Sequence, residues 1–321
     1  MRTRLLYMMM QNSDRFFSGE QLAEQFGVTR AAIWKNIEAL KKIGCEFESK
    51  QNKGYRLTHI PDALAPEILG LYDFANVTER LAIKKLDVVD STNRVAKTMA
   101  GTGTVKDMLI MAETQTDGKG RMGRIWFSED GKSLVFSLLL FPHIPPADAS
   151  KIALIAGLSM AETIRTMTGL DALVKWPNDV LINGKKVCGI LMEMGAQIDR
   201  TEYVICGVGL NVNNRAFDAS AGSSPTSLFL ESGQEHSRTQ LLVSFLADFY
   251  ERFDAWYETG DFVPVISEYT RLNALQGKTV SVEFYGQKTA GEVLGFDKDG
   301  YMVIGVDGKK KRVMAGDISY V

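Results

Sequence analysis

The stretch Gly118-Lys119-Gly120-Arg121-Met122-Gly123-Arg124-Ile125-Trp126 constrains this chain more than any other. It holds three glycines, three cations and a tryptophan, and it separates two apolar segments, residues 108–112 and 134–141. Glycines at this spacing let the backbone come close to a ligand, and consecutive N–H groups can form a concave anion site. The cations add charge to that hollow, and the indole offers a flat apolar wall. Such a loop suits folding over an anionic, phosphorylated ligand.

Two familiar phosphate motifs fail here on context. Gly118, Gly120 and Gly123 satisfy G-x-G-x-x-G, but the dinucleotide fold needs a helix at the third glycine. Here Ser128-Glu129-Asp130-Gly131 breaks any helix, and β-rich sequence follows. Gly131-Lys132-Ser133 and Gly277-Lys278-Thr279 end like P-loops, yet Trp126 and Leu272 stand where each would need its upstream glycine.

A second stretch is Lys175-Trp176-Pro177-Asn178-Asp179, set between apolar Leu173-Val174 and Val180-Leu181-Ile182. The plainer alternative is a snorkelling lysine in a hairpin. Trp176 and the fixed φ of Pro177 favour a lysine held in place, the kind that serves as an electrostatic catalyst.

With Asp90-Ser91-Thr92-Asn93 and Gly207-Val208-Gly209-Leu210-Asn211-Val212-Asn213, these stretches stand in the order found in a known family. The chain resembles the biotin–protein ligases, specifically the bifunctional kind that also represses biotin operons, over nearly its whole length. One departure is Lys119, where many members carry arginine, and lysine keeps the charge but not the bidentate fork.

Composition is that of an ordinary soluble chain: 321 residues, 45% hydrophobic and 24% charged. Cys45, Cys188 and Cys206 are widely spaced and His59, His143 and His236 are scattered, so neither an intrinsic metal nor a disulfide framework is expected. The opening apolar run stops at Gln11, short of a signal peptide, and no later run spans a bilayer. A cytoplasmic protein without membrane attachment is expected.

The net charge of −2 hides an asymmetry: residues 1–60 carry ten Lys/Arg and six Asp/Glu, a net of +4 on a body of −6. Ser18 and Gln21 read as a capping box opening a short helix. Thr29 caps a second helix to about Ile43, with Ile33, Ile37 and Leu40 on its apolar face. Arg30, Ala31, Trp34 and Lys35 fall toward the other face, where a recognition helix meets bases. Residues 45–57 then read as a hairpin with Lys50 and Lys53 at its tip, the wing of a winged helix-turn-helix. Ser18, Thr29, Arg30, Ala31, Trp34, Lys35, Lys50 and Lys53 are the candidate DNA contacts. The alternative is a small helical protein-interaction domain, against which the two basic clusters argue.

Further on, residues 63–72 read as a helix, 81–89 as a strand, and 90–93 as the cap of a helix to about Met99. Residues 147–167 form a long helical stretch, 186–194 and 201–211 strands, and 239–257 and 262–272 amphipathic helices. Residues 215–226, rich in Ser, Gly and Ala, read as a mobile loop. From Lys278 the texture changes to four short β runs ending at Met314. Pattern and resemblance together give an α+β protein. Its parts are a winged helix-turn-helix (1–60), a linker and helix (61–80), a mixed-sheet ligase domain of the class II synthetase-like kind (81–274) and an SH3-like small β-barrel (275–321).

The resemblance implies two-step chemistry: biotin and ATP, with Mg²⁺, give biotinyl-5'-AMP, and biotin then passes to a lysine of a biotin carboxyl carrier protein. It implies Lys175 and Arg121 as catalytic residues. Ser91, Thr92, Asn93, Gln115, Lys119, Gly120, Arg121 and Lys175 would face biotin. Gly118, Lys119, Arg121, Arg124, Trp126, Asn178 and Asn211 would face the adenylate. Without the resemblance, Gln115 reads equally as a surface amide and Asn211 as a turn-former. The adenylate would act as corepressor, with a homodimer on operator DNA. A lipoate–protein ligase and a ligand-sensing repressor without catalysis stay open as alternatives.

Overall fold

Capping chemistry starts the second and third helices. The computed structural model describes residues 1–73, 76–217, 224–284 and 287–320. Helix α1 (Arg2–Met10) is followed by α2 (Gly19–Phe26), α3 (Arg30–Lys42) and the hairpin β1 (Glu46–Lys50) and β2 (Gly54–His59). Ser18 and Gln21 exchange both bonds of a capping box, and Thr29 Oγ1 accepts the Ala32 N–H. Ile33, Ile37 and Leu40 are buried in a core shared with Leu5, Leu6 and Met9 of α1. The wing is fastened by Phe17, which exchanges backbone hydrogen bonds with Tyr55. Gly54 makes this possible, because any β-carbon there would overlap the Phe17 carbonyl.

The segment after the wing packs two ways. Helix α4 (Pro66–Tyr72), shorter than expected, gives Ile68 and Leu71 to the N-terminal core, while Leu64 and Leu69 join the main one. Asp62 and Arg238 lock this segment down. The guanidinium is 3% exposed and donates to Asp62 Oδ2 at 3.2 Å, the Asp62 carbonyl at 2.6 Å and Glu113 Oε2 at 2.6 Å.

The central sheet comprises β3 (Ala82–Val89), β4 (Met108–Gln115), β5 (Ser133–Leu140), β6 (Ala172–Lys175), β7 (Asp179–Ile182), β8 (Lys185–Ala196) and β9 (Thr201–Asn211), in the order β3-β4-β5-β9-β8-β7-β6. Only β3–β4 pair in parallel; the other neighbours are antiparallel. Helices α6 (Ala149–Thr168) and α8 (Arg238–Thr259) pack on one face, with α9 (Val263–Arg271) behind α6; α7 (Leu228–Ser232) is a short turn of helix before α8. Helix α5 (Thr92–Ala100) covers part of the other face over β4, β5 and β9, through Ala96, Ile110 and Ile205. The uncovered remainder of that face carries the site. The expected mobile loop is described only in part; residues 218–223 lie outside the described residues.

The C-terminal unit differs from expectation by one strand. To β10 (Thr279–Phe284), β11 (Gln287–Phe296), β12 (Met302–Val306) and β13 (Lys309–Val313) it adds β14 (Asp317–Tyr320), giving an antiparallel sheet in the order β13-β12-β11-β10-β14. Four residues are too few to show alternation, and β14 exists through its pairing with β10. Helix α1 was likewise unexpected: its methionine run has no side-chain cap, and burial against α3 and α4 holds it.

Candidate active site and DNA interface

The register of the sheet builds the site floor. Ser137 pairs with Gly207 and Leu191 with Gly207; Val135 pairs with Gly209 and Gly189 with Gly209. Alternation therefore puts Ser137, Gly207, Gly209, Gly189 and Leu191 on the one open face. Two glycines facing each other on β8 and β9 leave a bare slot, and Trp126 lies in it. A β-carbon on Gly209 would overlap the indole, and one on Gly189 would stand 3.1 Å from it. A β-carbon on Gly207 would overlap the Asn93 carboxamide. Above this floor opens a cavity of about 1270 Å³.

One end is polar and nearly neutral. Ser91 is the N-cap residue of α5 but makes no side-chain capping bond; instead its N–H donates to Asp90 Oδ1 at 2.6 Å. The expected capping by residues 90–93 is thus absent: Ser91, Thr92 and Asn93 line the cavity, and the Asp90 carboxylate is taken by the Ser91 N–H and by Arg94. Gln115 Oε1 accepts the Thr92 N–H at 2.8 Å and lies 3.0 Å from Thr92 Oγ1. Ser137 Oγ is 2.7 Å from Thr92 Oγ1 and 2.6 Å from Asn93 Oδ1, and Asn93 Nδ2 donates to Glu193 Oε2 at 2.7 Å. Thr92, Asn93 and Ser137 are all buried.

The other end is cationic. Arg121 donates to Asn178 Oδ1 at 3.0 Å and to the Gly316 carbonyl at 3.2 Å, so the glycine loop, the lysine turn and the C-terminal sheet meet at one guanidinium. Arg124 pairs with Asp317, the first residue of β14. Trp176 borders the cavity but its ring is buried in the core, and its Nε1–H donates to the Gly300 carbonyl at 3.1 Å. That bond holds the turn carrying Lys175. Asn178 is held too, donating to the Ile190 carbonyl at 2.9 Å. The Lys175 ammonium lies 5.4 Å from the centre of the Tyr320 ring and has no ion-pair partner among the described residues. Burial lowers its pKa from the ordinary lysine value, with Lys186 and Arg124 pushing the same way and Asp179 and Asp317 opposing.

Of the remaining expected residues, Lys119 and Gly120 line the cavity, and among the described residues the Lys119 ammonium has only Asp117 at 3.8 Å. Asn211 reaches the wall with its amide donating to the Thr226 carbonyl at 2.9 Å, which anchors the segment after β9. Gly118 sits at the loop's base instead: its carbonyl accepts the Trp126 N–H at 2.8 Å, and a β-carbon there would press on the Trp126 carbonyl.

On the winged unit, Arg30, Ala31, Trp34 and Lys35 are exposed together on α3, with Trp34 53% exposed. Thr29 and Ser18 serve as caps, which leaves the backbone N–H groups of two helix starts near that face. Lys53 is exposed at the wing tip. Lys50 is engaged within the wing, 2.9 Å from Glu48 and 5.0 Å from the Phe16 ring centre.

Two family models match this chain. The biotin/lipoate A/B protein ligase family matches residues 86–211, and an HTH domain matches residues 2–56. The bifunctional ligase/repressor BirA of Bacillus subtilis is 33% identical over 327 residues, covering 99% of this chain and 98% of the relative. The chain belongs to the BirA family of bifunctional ligase/repressors. BirA of Escherichia coli is 31% identical over 96% of this chain and 94% of its own length. Among solved structures, a biotin protein ligase from Aquifex aeolicus, described in complex with biotin and ATP, is 27% identical with a TM-score of 0.64. It covers 74% of this chain and 97% of the other.

In this BirA-family chain the expected ligase residues converge on one cavity from five segments, Gly118 alone standing back from its wall. Sequence reasoning missed Ser137, Glu193, Lys186 and the β14 residues Asp317 and Tyr320, all at or beside that cavity. Lys186 pairs with Asp179 at 2.6 Å, beside the lysine turn. For Ser137 a signal existed: it is the one polar residue inside the apolar run of residues 134–140.

Proposed function

We propose that this chain joins biotin to ATP, forming biotinyl-5'-AMP, then passes biotin to a lysine of a biotin carboxyl carrier protein, and represses a biotin operon when the adenylate is held. The observation that carries the reading is the polarity of one cavity: a buried neutral hydrogen-bonding cradle at one end, an unpaired lysine and an arginine at the other. A uncharged ring fits the first, and the meeting of a carboxylate with a triphosphate fits the second.

In the first step the biotin carboxylate attacks the α-phosphorus in line and pyrophosphate leaves. This needs positioning and charge neutralisation more than a protein nucleophile. Lys175 bridges carboxylate and phosphate oxygens, Arg121 neutralises phosphate with Lys119 assisting, and the glycine loop closes over the product. Mg²⁺ enters with ATP as the counter-ion of its phosphates. In the second step the neutral amine of the acceptor lysine attacks the acyl carbon and AMP departs.

The same reading assigns operator contact to residues 1–60 through α3 and Lys53, catalysis to 81–274, and completion of the nucleotide end to 275–321. Ordering of the loop around the adenylate lowers the entropic cost of dimerisation, and a dimer spans two operator half-sites. Such a protein works in the cytoplasm; no helix among the described residues is long and apolar enough to cross a membrane.

The test is pyrophosphate release from Mg-ATP with biotin or lipoate supplied in parallel. Release with biotin alone supports the ligase reading. Release with lipoate alone moves the chain to the other branch of the matched family, and tight biotin binding without release makes it a sensor. Operator binding that is equal with and without biotin and ATP would overturn the corepressor role.

A further inference from the structure

We infer that Ser137 and Glu193 are positioning residues that fix the hydroxyl proton of Thr92, and so make the cradle selective for a ring that presents an N–H; this rests on the ligase reading above.

The argument is a count of protons. Glu193 Oε2 and the Leu191 carbonyl, 2.7 and 3.4 Å from Asn93 Nδ2, only accept. The Asn93 NH₂ must face them, and its carbonyl oxygen must face Ser137. At 2.6 Å from that oxygen, the Ser137 hydroxyl has to spend its single proton on Asn93. The 2.7 Å contact between Ser137 and Thr92 then needs the proton of Thr92. Thr92 Oγ1 thus has one proton for two acceptors, Ser137 Oγ at 2.7 Å and Gln115 Oε1 at 3.0 Å, and the shorter contact claims it. The Gln115 oxygen, fixed by the Thr92 N–H at 2.8 Å, then faces Thr92 Oγ1 lone pair to lone pair.

The network is therefore one donor short at its cavity end. A ring N–H supplies it, and Gln115 Nε2, which has no acceptor among the described residues, is available for the adjacent ring carbonyl. The ureido ring of biotin offers both groups side by side. The fold protects the inner part of this arrangement, though Glu193 itself is exposed: Ser137 is fully buried, Asn93 is 5% exposed, and Gly207 leaves the room that the Asn93 carboxamide occupies.

The experiment compares kcat/KM for pyrophosphate release with biotin and with a cyclic carbamate analogue in which one ring N–H is replaced by oxygen. The unaltered protein should prefer biotin by ~100-fold or more, since a site lacking its donor rejects the analogue strongly. Ser137→Ala frees the Thr92 proton to meet a ring oxygen, and the preference should fall to roughly tenfold or less while KM for ATP holds within about twofold. Glu193→Gln keeps an acceptor and should retain the preference; Glu193→Ala should erode it. Full preference in Ser137→Ala overturns the inference, as does an equal loss toward both ligands, which would mark Ser137 as merely structural. Absence of biotin-dependent release by the unaltered protein would instead sink the ligase reading itself.

Discussion

Trp126 and Gly209 share one place in the sheet: the indole lies where a β-carbon on Gly209 would stand, at the register position where Gly209 faces Gly189. The ring that walls the cavity is thus seated by the absence of two side chains. Gly209→Ala should lift the ring out of its slot. Overpacking of this kind costs about 1–3 kcal/mol, so a lowered Tm is expected. Biotin-dependent pyrophosphate release should drop at least roughly tenfold, the cost of about 1.4 kcal/mol at the transition state. Unchanged release and unchanged melting would show that the slot is not needed.

Lys175 should give the reaction its basic limb. Its ammonium is the form that neutralises phosphate, and desolvation lowers its pKa below the ordinary value of 10.5. The kcat/KM profile of the first step should therefore fall with rising pH at a lower pH than an exposed lysine would give. In the kcat profile the limb should move back up, because bound anions favour the charged form. Lys175→Arg should remove the limb if any activity survives, since arginine stays charged throughout. Lys175→Ala should cost on the order of 10²–10³ in rate, as for other preorganised charges. Near-normal adenylation by that variant would end the assignment.

The Arg238 side chain makes four hydrogen bonds in the interior, and its removal leaves Glu113, whose side chain is 15% exposed, with the Leu64 N–H as its one remaining partner among the described residues. Arg238→Met should lower stability by roughly 3–5 kcal/mol, the usual cost of breaking a buried pair from one side. Asp62→Asn should cost only about 1 kcal/mol, because the amide oxygen still accepts from the start of α8. Equilibrium urea denaturation of the two variants checks the ordering.

On DNA, Lys35→Ala and Lys53→Ala should each weaken operator binding across sequences and reduce the slope of log K against log salt by about 0.9, one phosphate's worth. Lys50→Ala should change the slope less, since its ammonium is already held by Glu48 and Phe16. Trp34→Ala should instead alter sequence preference with the slope intact. Filter binding or anisotropy over a salt series separates these outcomes.

What was readable in the sequence was local. Ser18, Thr29 and the spacing of Ile33, Ile37 and Leu40 announce the first helices because caps and periodicity act within a few residues. Asn183-Gly184 announces the β7–β8 turn, where both residues adopt positive φ. The family motifs located nearly every wall of the cavity. The misses are non-local: Arg238 meets Asp62 across 176 positions, and β14 needs β10 to exist at all. Asp90 and Ser91 misled because a capping sequence was put to another use: Asp90 takes the Ser91 N–H, and Ser91 makes no cap bond. Glu193 gave no signal, since an exposed carboxylate on a strand looks the same whether or not it also steadies an amide, as this one does for Asn93.

Arg121 and Gly316 stand 195 positions apart in the chain, yet they meet at a hydrogen bond. On a ribosome adding about 5–20 residues per second, the glycine loop emerges roughly 10–40 s before the strand that fastens it. Helix α3 of the winged unit emerges earlier still. For that interval the nascent protein carries its winged unit without the finished chamber, so a stalled or clipped product keeps the helix-turn-helix and lacks the cavity on which the proposed corepressor switch depends. On the corepressor reading the adenylate cannot dimerise such a fragment, which therefore leaves operators open rather than silencing them without biotin.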